Sequence, residues 1–172
     1  MSTGIRVFRP QAYGLLAAIL LSSGCAQGLK SGEIAPDFVL TSIDGKRVRL
    51  ADYAGDVVLL SFWAVGCPPC REEAAHLKTL HHRFGPRGLH IMAVNAWDEP
   101  KSMVESFARK QRLPYEILLN GADVHTGPYK GRGVPSAYLI DRGGVIRYVS
   151  HGWSEQVGRD LTMHIQRLLE RG

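Results

Sequence analysis

The sequence predicts an α/β domain in which a central mixed β-sheet is flanked by helices. Apolar runs of strand length alternate with amphipathic helical patterns, and a hairpin signature stands near each end of this alternation. Hydrophobic residues make up 45% and charged residues 22% of the 172 residues, a globular balance that excludes wholesale disorder. Strand–helix–strand order followed by a hairpin favours a mixed sheet covered by helices.

The first half of the chain predicts a hairpin, a buried strand and a helix. Residues 38–40 and 48–50 flank Asp44-Gly45, which is a hairpin signature. The continuous apolar run Val57–Trp63 is typical of a strand that is buried on both faces. From Cys67 onward the apolar residues follow helical spacing as far as a Gly-Pro pair, where the helix is expected to end.

The second half continues the alternation. Leu89–Asn95 predicts the next strand, and residues 98–100 (Asp-Glu-Pro) predict the start of a second helix. Further strands are predicted at residues 117–119, 137–140 and 145–149. Ser154 is expected to cap a final amphipathic helix.

The amino terminus, residues 1–24, has the pattern of an export signal. Arg6 and Arg9 precede the apolar residues 15–21, and small residues follow. The apolar run is much shorter than the about 20 residues that span a bilayer. An uncleaved membrane anchor and a buried helix of the domain remain the alternatives.

The signal ends at Cys25, in a pattern that resembles a bacterial lipobox. This resemblance implies that Cys25 is the lipidated first residue of the mature protein. Leu21 stands four positions before Cys25, whereas the family places its aliphatic residue three before, so ordinary signal cleavage with an incidental thiol stays open. Residues 25–32 are predicted to be a tether, and residues 33–172 a single domain.

The candidate active site is the sequence Cys67-Pro68-Pro69-Cys70, at the predicted junction of a strand and a helix. Two cysteines three residues apart at a helix start can form a disulfide, and the helix N-terminus lowers the pKa of the first thiol. Proline is tolerated there because first-turn N–H groups have no intrahelical partner. A zinc site would need further ligands, and the sequence has no second C-x-x-C or spaced histidine pair, so no metal is expected. An inert structural disulfide is the other alternative.

Several motifs resemble one known family. Residues 62–71 are similar to the F-W-A-x-W-C-x-P-C segment of thioredoxins. Together with residues 35–38 (Ala-Pro-Asp-Phe), Asp44-Gly45 and residues 133–136 (Gly-Val-Pro-Ser), they resemble the TlpA/ResA-like branch. That branch consists of exported, membrane-tethered thiol–disulfide oxidoreductases and includes cytochrome c maturation reductases. The resemblance covers about residues 32–170 and implies a thioredoxin-like fold with an N-terminal β-hairpin extension.

The resemblance also implies roles for individual residues. Cys67 would be the exposed nucleophile and Cys70 the buried resolving thiol. Pro135 would be a cis-proline packed against the disulfide, and the backbone of Val134 would bind an extended substrate peptide. Trp63 is expected to pack beneath the site.

The chain departs from the family at the site. Gly66 replaces the usual aromatic residue before the first cysteine, which predicts a more open groove. Ser61 replaces the buried acid of thioredoxins, so another group must exchange a proton with Cys70. Asp98 is the first candidate and Glu99 the second, with simple helix capping by Asp98 as the alternative. Trp97 and Trp153 are candidate groove walls, with burial in the core as the alternative.

The resemblance implies an enzyme, a thiol–disulfide oxidoreductase that reduces protein disulfides in the cell envelope. It needs no cofactor, because the Cys67–Cys70 pair carries the two electrons. The expected partners are disulfide-containing envelope proteins and a membrane thiol protein that donates electrons. The protein is expected to be a monomer.

Two other function classes remain open, and nucleic-acid binding does not. The motif at residues 35–38 also resembles peroxiredoxins, although Leu60 and Ala64 stand where that family has Pro and Thr. A non-catalytic thiol carrier or scaffold is the second alternative. The net charge of +5 is too mild to favour nucleic acid, and no basic cluster or stacking-aromatic motif accompanies it.

Overall fold

A mixed sheet of seven strands forms the centre of the protein, in the order β2-β1-β5-β4-β3-β6-β7. The computed structural model describes residues 28–171, so the predicted export signal and Cys25 lie outside the described residues. The strands are β1 (Val39–Ser42), β2 (Arg47–Arg49), β3 (Val57–Trp63), β4 (Leu89–Asn95), β5 (Glu116–Leu119), β6 (Ser136–Ile140) and β7 (Ile146–His151). The helices are α1 (Pro68–Phe84), α2 (Lys101–Gln111), α3 (Ala122–Thr126) and α4 (Glu155–Glu170).

The apolar strand β3 lies at the centre of this sheet. All seven of its residues are buried, as the continuous apolar run predicts. It pairs in parallel with β4 and antiparallel with β6. Because side chains alternate along a strand, Leu59 and Trp63 face one hydrophobic core whereas Leu60 and Phe62 face the other.

Helices α1, α2 and α4 cover the same face of the sheet. Strands β3, β4 and β5 follow one another in one direction across the sheet, so right-handed crossovers bring α1 and α2 to the same side. The opposite face is covered by the segment before β1 and by a cluster of aromatic residues that includes Phe38, Tyr129 and Tyr138. The predicted mixed sheet flanked by helices is confirmed.

The predicted N-terminal hairpin is also confirmed. Strands β1 and β2 pair antiparallel, and Gly45 in the turn between them has a φ of +81°. Thr41 and Ser42 of β1 pair antiparallel with β5, so the hairpin extends the main sheet at one edge.

Two of the helices differ from the sequence prediction. The short helix α3 was not predicted, since its five residues are too few to show a periodic pattern. Helix α2 begins at Lys101 rather than at the Asp-Glu-Pro sequence, and its N-cap position is Pro100 with no side-chain cap. Within residues 28–171, no helix is long and apolar enough to cross a membrane.

The register of the sheet brings three separate segments to one place. Phe62, near the end of β3, pairs with Ser136 at the start of β6. Trp63, the last residue of β3, pairs with Asn95, the last residue of β4. The segments that follow β3, follow β4 and precede β6 therefore meet at one edge of the sheet, where α1 begins.

Candidate active site

The cysteine pair lies at the start of α1, as the sequence predicts. Cys67 is the N-cap residue, with extended backbone angles, and Pro68 and Pro69 occupy the first two helical positions. Cys67 and Cys70 form a disulfide with their Cα atoms 5.3 Å apart. The backbone N–H of Cys70 donates a hydrogen bond of 3.3 Å to the Sγ of Cys67. A thiolate at Cys67 would therefore be stabilised by an N–H group and by the helix dipole.

Both cysteines are buried in this disulfide form. Cys67 is 4% exposed and Cys70 is 1% exposed, so the expectation of an exposed Cys67 is wrong for the oxidised state. The Cys67 sulfur lies against the helix start and beside the Val134 carbonyl oxygen in the segment before β6. The neighbouring residues Gly66 and Pro68 are exposed, and a substrate can approach the pair over their backbone.

The segment beside Cys67 contains the cis peptide bond between Val134 and Pro135. The carbonyl oxygen of Val134 lies 3.7 Å from the Cys67 sulfur. The carbonyl oxygen of Pro135 accepts a 2.8 Å hydrogen bond from the N–H of Gly152, which ties this segment to the end of β7. The structure thus brings Val134 and Pro135 next to the cysteine pair.

A buried histidine supports the same segment from below. The Nε2 of His125 lies 3.2 Å from the Oγ of Ser136. The backbone oxygen of His125 accepts a 2.7 Å hydrogen bond from the N–H of Gly131. A Cβ atom at Gly131 would overlap the His125 ring, so this close approach requires glycine. Burial lowers the pKa of His125, which keeps the ring neutral at neutral pH.

Glu99 holds the loop that precedes Cys67. Its carboxylate accepts hydrogen bonds from the backbone N–H groups of Val65, at 2.7 Å, and Gly66, at 3.0 Å. The buried Asn95 fixes Glu99 in turn, because its Nδ2 donates to the carboxylate at 2.7 Å and its Oδ1 accepts from the Glu99 N–H at 3.0 Å. Glu99 is therefore a positioning residue for the loop that precedes Cys67.

Asp98, the first candidate for proton exchange with Cys70, points elsewhere. Its carboxylate accepts a 3.1 Å hydrogen bond from the N–H of Ala122, at the start of α3. The alternative that Asp98 caps α2 is wrong, because the N-cap of that helix is Pro100 and no side chain caps it. Asp98 instead joins the loop after β4 to α3.

Gly66 is exposed, and the Trp97 side chain and the Glu99 carboxylate face it on one side. A Cβ atom at Gly66 would lie 3.4 Å from Cζ3 of Trp97 and 3.6 Å from Oε1 of Glu99. Trp97 is 56% exposed, and its indole forms a wall beside Gly66 in the loop that precedes Cys67. Trp63 lies beneath the site as expected, buried against Phe107 at a ring distance of 5.2 Å. An aromatic surface is thus present beside Gly66, the residue before Cys67, and it comes from the loop after β4.

The structure adds Glu73, which sequence reasoning missed. Glu73 lies on α1, three residues after Cys70, and is 1% exposed. One carboxyl oxygen, Oε2, accepts a 2.8 Å hydrogen bond from Ser61 Oγ on β3. The other oxygen, Oε1, is buried with no hydrogen-bond partner. Burial raises the pKa of Glu73 to about 7, and the Ser61 hydrogen bond offsets only part of that rise.

A signal for Glu73 was present in the sequence. Residues one turn apart share a helix face, so Glu73 lies on the apolar face that carries Cys70 and Leu77. An acid on that face and Ser61 in an otherwise apolar strand are two polar residues that need each other as partners. Helix α1 therefore supplies a buried acid near Cys70, and strand β3 supplies its hydroxyl partner.

No metal site accompanies the cysteine pair in the part of the chain that the structure describes. Across residues 28–171, no group of three or more His, Cys, Asp or Glu side chains is placed to hold a metal ion. The site offers instead a disulfide, two carboxyl groups of different environment and a cis-proline segment.

Glu73 makes a pH-dependent contribution to stability. Its folded pKa of about 7 lies above the ordinary value of 4.5, so between these values the folded state binds the proton more tightly than the unfolded state. The stabilisation that Glu73 contributes is fully present below pH 4.5 and is lost as pH rises through about 7. We therefore expect the unfolding free energy of Glu73→Gln minus that of wild type to be about 2 kcal/mol larger at pH 8 than at pH 5.

Urea unfolding of both proteins at pH 5 and pH 8 measures this gain. Glu72→Gln is the matched control, because Glu72 is the exposed neighbour on the same helix, and its difference from wild type should stay constant. A constant difference for Glu73→Gln as well would show that Glu73 is ionised at both pH values.

Comparison with known proteins agrees with this geometry. The family model described as the AhpC/TSA family matches residues 31–149. The thiol-disulfide oxidoreductase ResA of Geobacillus kaustophilus is 34% identical over 137 residues, which cover 80% of this chain and 77% of that protein.

Solved structures show the same fold. A Chlorobium tepidum protein described as a thiol:disulfide interchange protein, DsbE, has a TM-score of 0.76 at 28% identity, covering 82% of this chain and 99% of that one. A thiol:disulfide interchange protein from Bacteroides sp. has a TM-score of 0.71 at 26% identity, and the match covers 83% of this chain and 91% of that one. The thioredoxin-like fold is therefore confirmed, and the chain belongs to the AhpC/TSA family, within which it is a relative of the thiol–disulfide oxidoreductases named ResA.

Proposed function

We propose that this protein reduces protein disulfides outside the cytoplasm by dithiol exchange through Cys67 and Cys70. One observation carries the proposal: the Cys67 sulfur lies at the N-cap of α1, against the carbonyl oxygen of Val134 in the cis-proline segment. The helix start favours the thiolate form of Cys67. The Val134 backbone lies where a substrate strand that reaches Cys67 would pass.

The reaction consists of two exchange steps. The Cys67 thiolate attacks one sulfur of the substrate disulfide, the substrate S–S bond breaks, and the other substrate sulfur leaves and takes up a proton. Cys70 then loses its proton and attacks the Cys67 sulfur, which breaks the mixed disulfide and releases the second substrate thiol. The substrate gains two electrons, and the protein is left with the Cys67–Cys70 disulfide.

Glu73 is our candidate for the proton of Cys70. It lies one helical turn after Cys70, and both residues are buried on the same side of α1. A carboxyl group whose pKa is raised to about 7 changes its protonation near neutral pH, where a catalytic acid or base is most effective. Asp98, which binds the N–H of Ala122, is given up in favour of Glu73.

The reaction cycle requires an electron source. Each turnover leaves the cysteine pair oxidised, and an oxidising compartment does not restore the dithiol. We propose that a membrane thiol protein supplies the electrons and that Cys25 carries a lipid that holds the domain near it. Cytochrome c apoproteins are one candidate class of substrate, on the family resemblance, and no added cofactor is needed.

The cysteine roles predict different outcomes for two variants. Cys67→Ser should lose disulfide reduction, because serine supplies no comparable nucleophile at neutral pH. Cys70→Ser should accumulate mixed disulfides with substrate through Cys67, because the second step is blocked. Non-reducing gel electrophoresis and mass spectrometry of the purified, reduced variants mixed with a disulfide substrate measure both outcomes. Cys25→Ser is the control that behaves like wild type, because no membrane donor takes part in this single turnover.

Mixed disulfides in Cys67→Ser but not in Cys70→Ser would reverse the assigned order. Consumption of peroxide without reduction of any disulfide would favour the peroxidase class instead.

The lipid anchor predicts specific labelling. Cells that express the protein and are fed a labelled fatty acid should incorporate the label into wild type and Cys67→Ser, but not into Cys25→Ser. Equal labelling of all three, or no labelling of any, would remove the lipid anchor from the proposal and leave the exchange chemistry intact.

The Trp97 wall predicts a dependence on substrate size. Trp97→Ala should slow the reduction of a protein disulfide about fivefold more than that of a small disulfide, because only the larger substrate reaches the indole. The double variant Gly66→Trp/Trp97→Gly should recover part of the lost rate with the protein disulfide, since it returns an aromatic surface to the same place. Stopped-flow rates with the two substrates give the ratio.

The control for this ratio is Met163→Ala, which removes an exposed apolar side chain from α4. The wall assignment fails if Trp97→Ala slows both substrates equally while Met163→Ala changes neither.

A further inference from the structure

We infer that His125 is a positioning residue that holds the cis-proline segment, residues 131–135, in the conformation that binds a protein substrate. This inference rests on the proposed function, and it names the residue of α3 that sets the affinity of the site. Residues 131–135 belong to no helix or strand, although the Val134 carbonyl oxygen lies 3.7 Å from the Cys67 sulfur. A segment without regular structure needs support from the rest of the fold if it is to be ordered before the substrate binds.

His125 contacts this segment at both of its ends. At the start, the backbone oxygen of His125 accepts a 2.7 Å hydrogen bond from the N–H of Gly131, and a Cβ atom on Gly131 would overlap the Nε2 edge of the ring. Just past the end, the same Nε2 atom lies 3.2 Å from the Oγ of Ser136. One edge of the imidazole therefore faces both the residue where the segment begins and the residue that follows Pro135.

The imidazole ring is itself held in place. It is buried, with His125 only 4% exposed, and it packs against the ring of Phe62 on β3 at a centroid distance of 4.8 Å. The backbone N–H of His125 donates a 2.9 Å hydrogen bond to the carbonyl oxygen of Gly121. An apolar side chain of similar size would fill the same space, so what the imidazole adds is a directional contact with Ser136.

The helix that carries His125 also supports the other side of the site. The N–H of Gly121, just before α3, donates a 2.9 Å hydrogen bond to the carbonyl oxygen of Asn95. The Asn95 side chain holds Glu99, whose carboxylate binds the N–H groups of the loop before Cys67. Helix α3 thus connects the two segments that flank Cys67, and His125 provides its contact with the cis-proline segment.

Loss of the imidazole would weaken substrate binding rather than the exchange reaction. If the cis-proline segment populates several conformations, the apparent affinity falls by the fraction of molecules that hold the binding conformation. Loss of one hydrogen bond changes such an equilibrium by about tenfold. The reactivity of Cys67 depends instead on the start of α1, which this change leaves in place.

Single-turnover kinetics separate these two quantities. The full-length protein is reduced, freed of reductant and mixed with increasing concentrations of a peptide that contains one disulfide. The peptide concentration at half-maximal rate reports binding, and the maximal rate reports exchange. We expect His125→Leu to raise the half-maximal concentration about tenfold and to keep the maximal rate within about twofold of wild type. Hydroxyethyl disulfide, which is too small to lie along the segment, should react equally fast with both proteins.

Further variants assign the effect to the contact with Ser136. His125→Gln keeps a polar group near the Nε2 position and should recover most of the lost affinity. Ser136→Ala should weaken binding as much as His125→Leu, and the double variant should bind no more weakly than either single variant, because both changes remove one interaction. The Ser136 hydroxyl also neighbours Tyr138, but an effect through Tyr138 would add to that of His125→Leu.

The matched control is Thr126→Ala. Thr126 is the exposed neighbour of His125 on α3, and its hydroxyl donates a 2.9 Å hydrogen bond to the carbonyl oxygen of Ala122. This variant should keep the wild-type half-maximal concentration and the wild-type maximal rate. Circular dichroism of each variant checks that it is folded, and if His125→Leu is not, Ser136→Ala decides by the same criterion.

Three outcomes would overturn the inference. The first is an unchanged half-maximal concentration in His125→Leu and Ser136→Ala. The second is an equal loss of affinity in His125→Gln, which would assign the effect to packing of the ring. The third is a lower rate with hydroxyethyl disulfide at an unchanged half-maximal peptide concentration, which would place His125 in the exchange chemistry. In each case reduction of hydroxyethyl disulfide by wild type would show that the exchange chemistry stands, whereas no reduction of either substrate by wild type would refute the proposed function itself.

Discussion

The N-cap position of Cys67 is the constraint on which the site depends. An extended residue at the start of α1 places its side chain against the first unpaired N–H groups of the helix, and the Cys70 N–H contacts its sulfur at 3.3 Å. The two prolines fit there because first-turn N–H groups have no intrahelical partner. The same position, after the central strand, places Cys67 beside the cis-proline segment, because β3 and β6 pair antiparallel.

Two carboxyl groups near Cys67 have different roles, because their hydrogen-bond partners and burial differ. Glu99 is held by three donors in the loop region, so it fixes backbone rather than exchanging protons. Glu73 has one donor, Ser61, and one buried oxygen without a partner, so the protonated form is favoured up to near-neutral pH. The residue that sequence reasoning preferred, Asp98, serves the connection to α3 instead.

Local patterns explain how far the sequence could predict this structure. The strand Val57–Trp63, the long helices and the C-x-x-C junction depend on neighbouring residues, and each was placed from its own periodicity. The contacts of Glu99, Trp97 and Glu73 depend instead on which segments of the chain meet in the fold. Their partners are 34, 31 and 12 positions away in the chain, at Val65, Gly66 and Ser61. Such contacts follow from register and from side-chain direction, which a single sequence does not specify.

The central claim is that the helix start makes Cys67 the reactive thiolate. Alkylation of the reduced protein by iodoacetamide across pH 4–10, with each cysteine assigned by mass spectrometry, tests it directly. Our account predicts that Cys67 reacts first, with a midpoint at least one unit below the ordinary thiol pKa of about 8.5, and that Cys70 reacts more slowly and at higher pH. A Cys67 midpoint at the ordinary value, or faster reaction of Cys70, would contradict it.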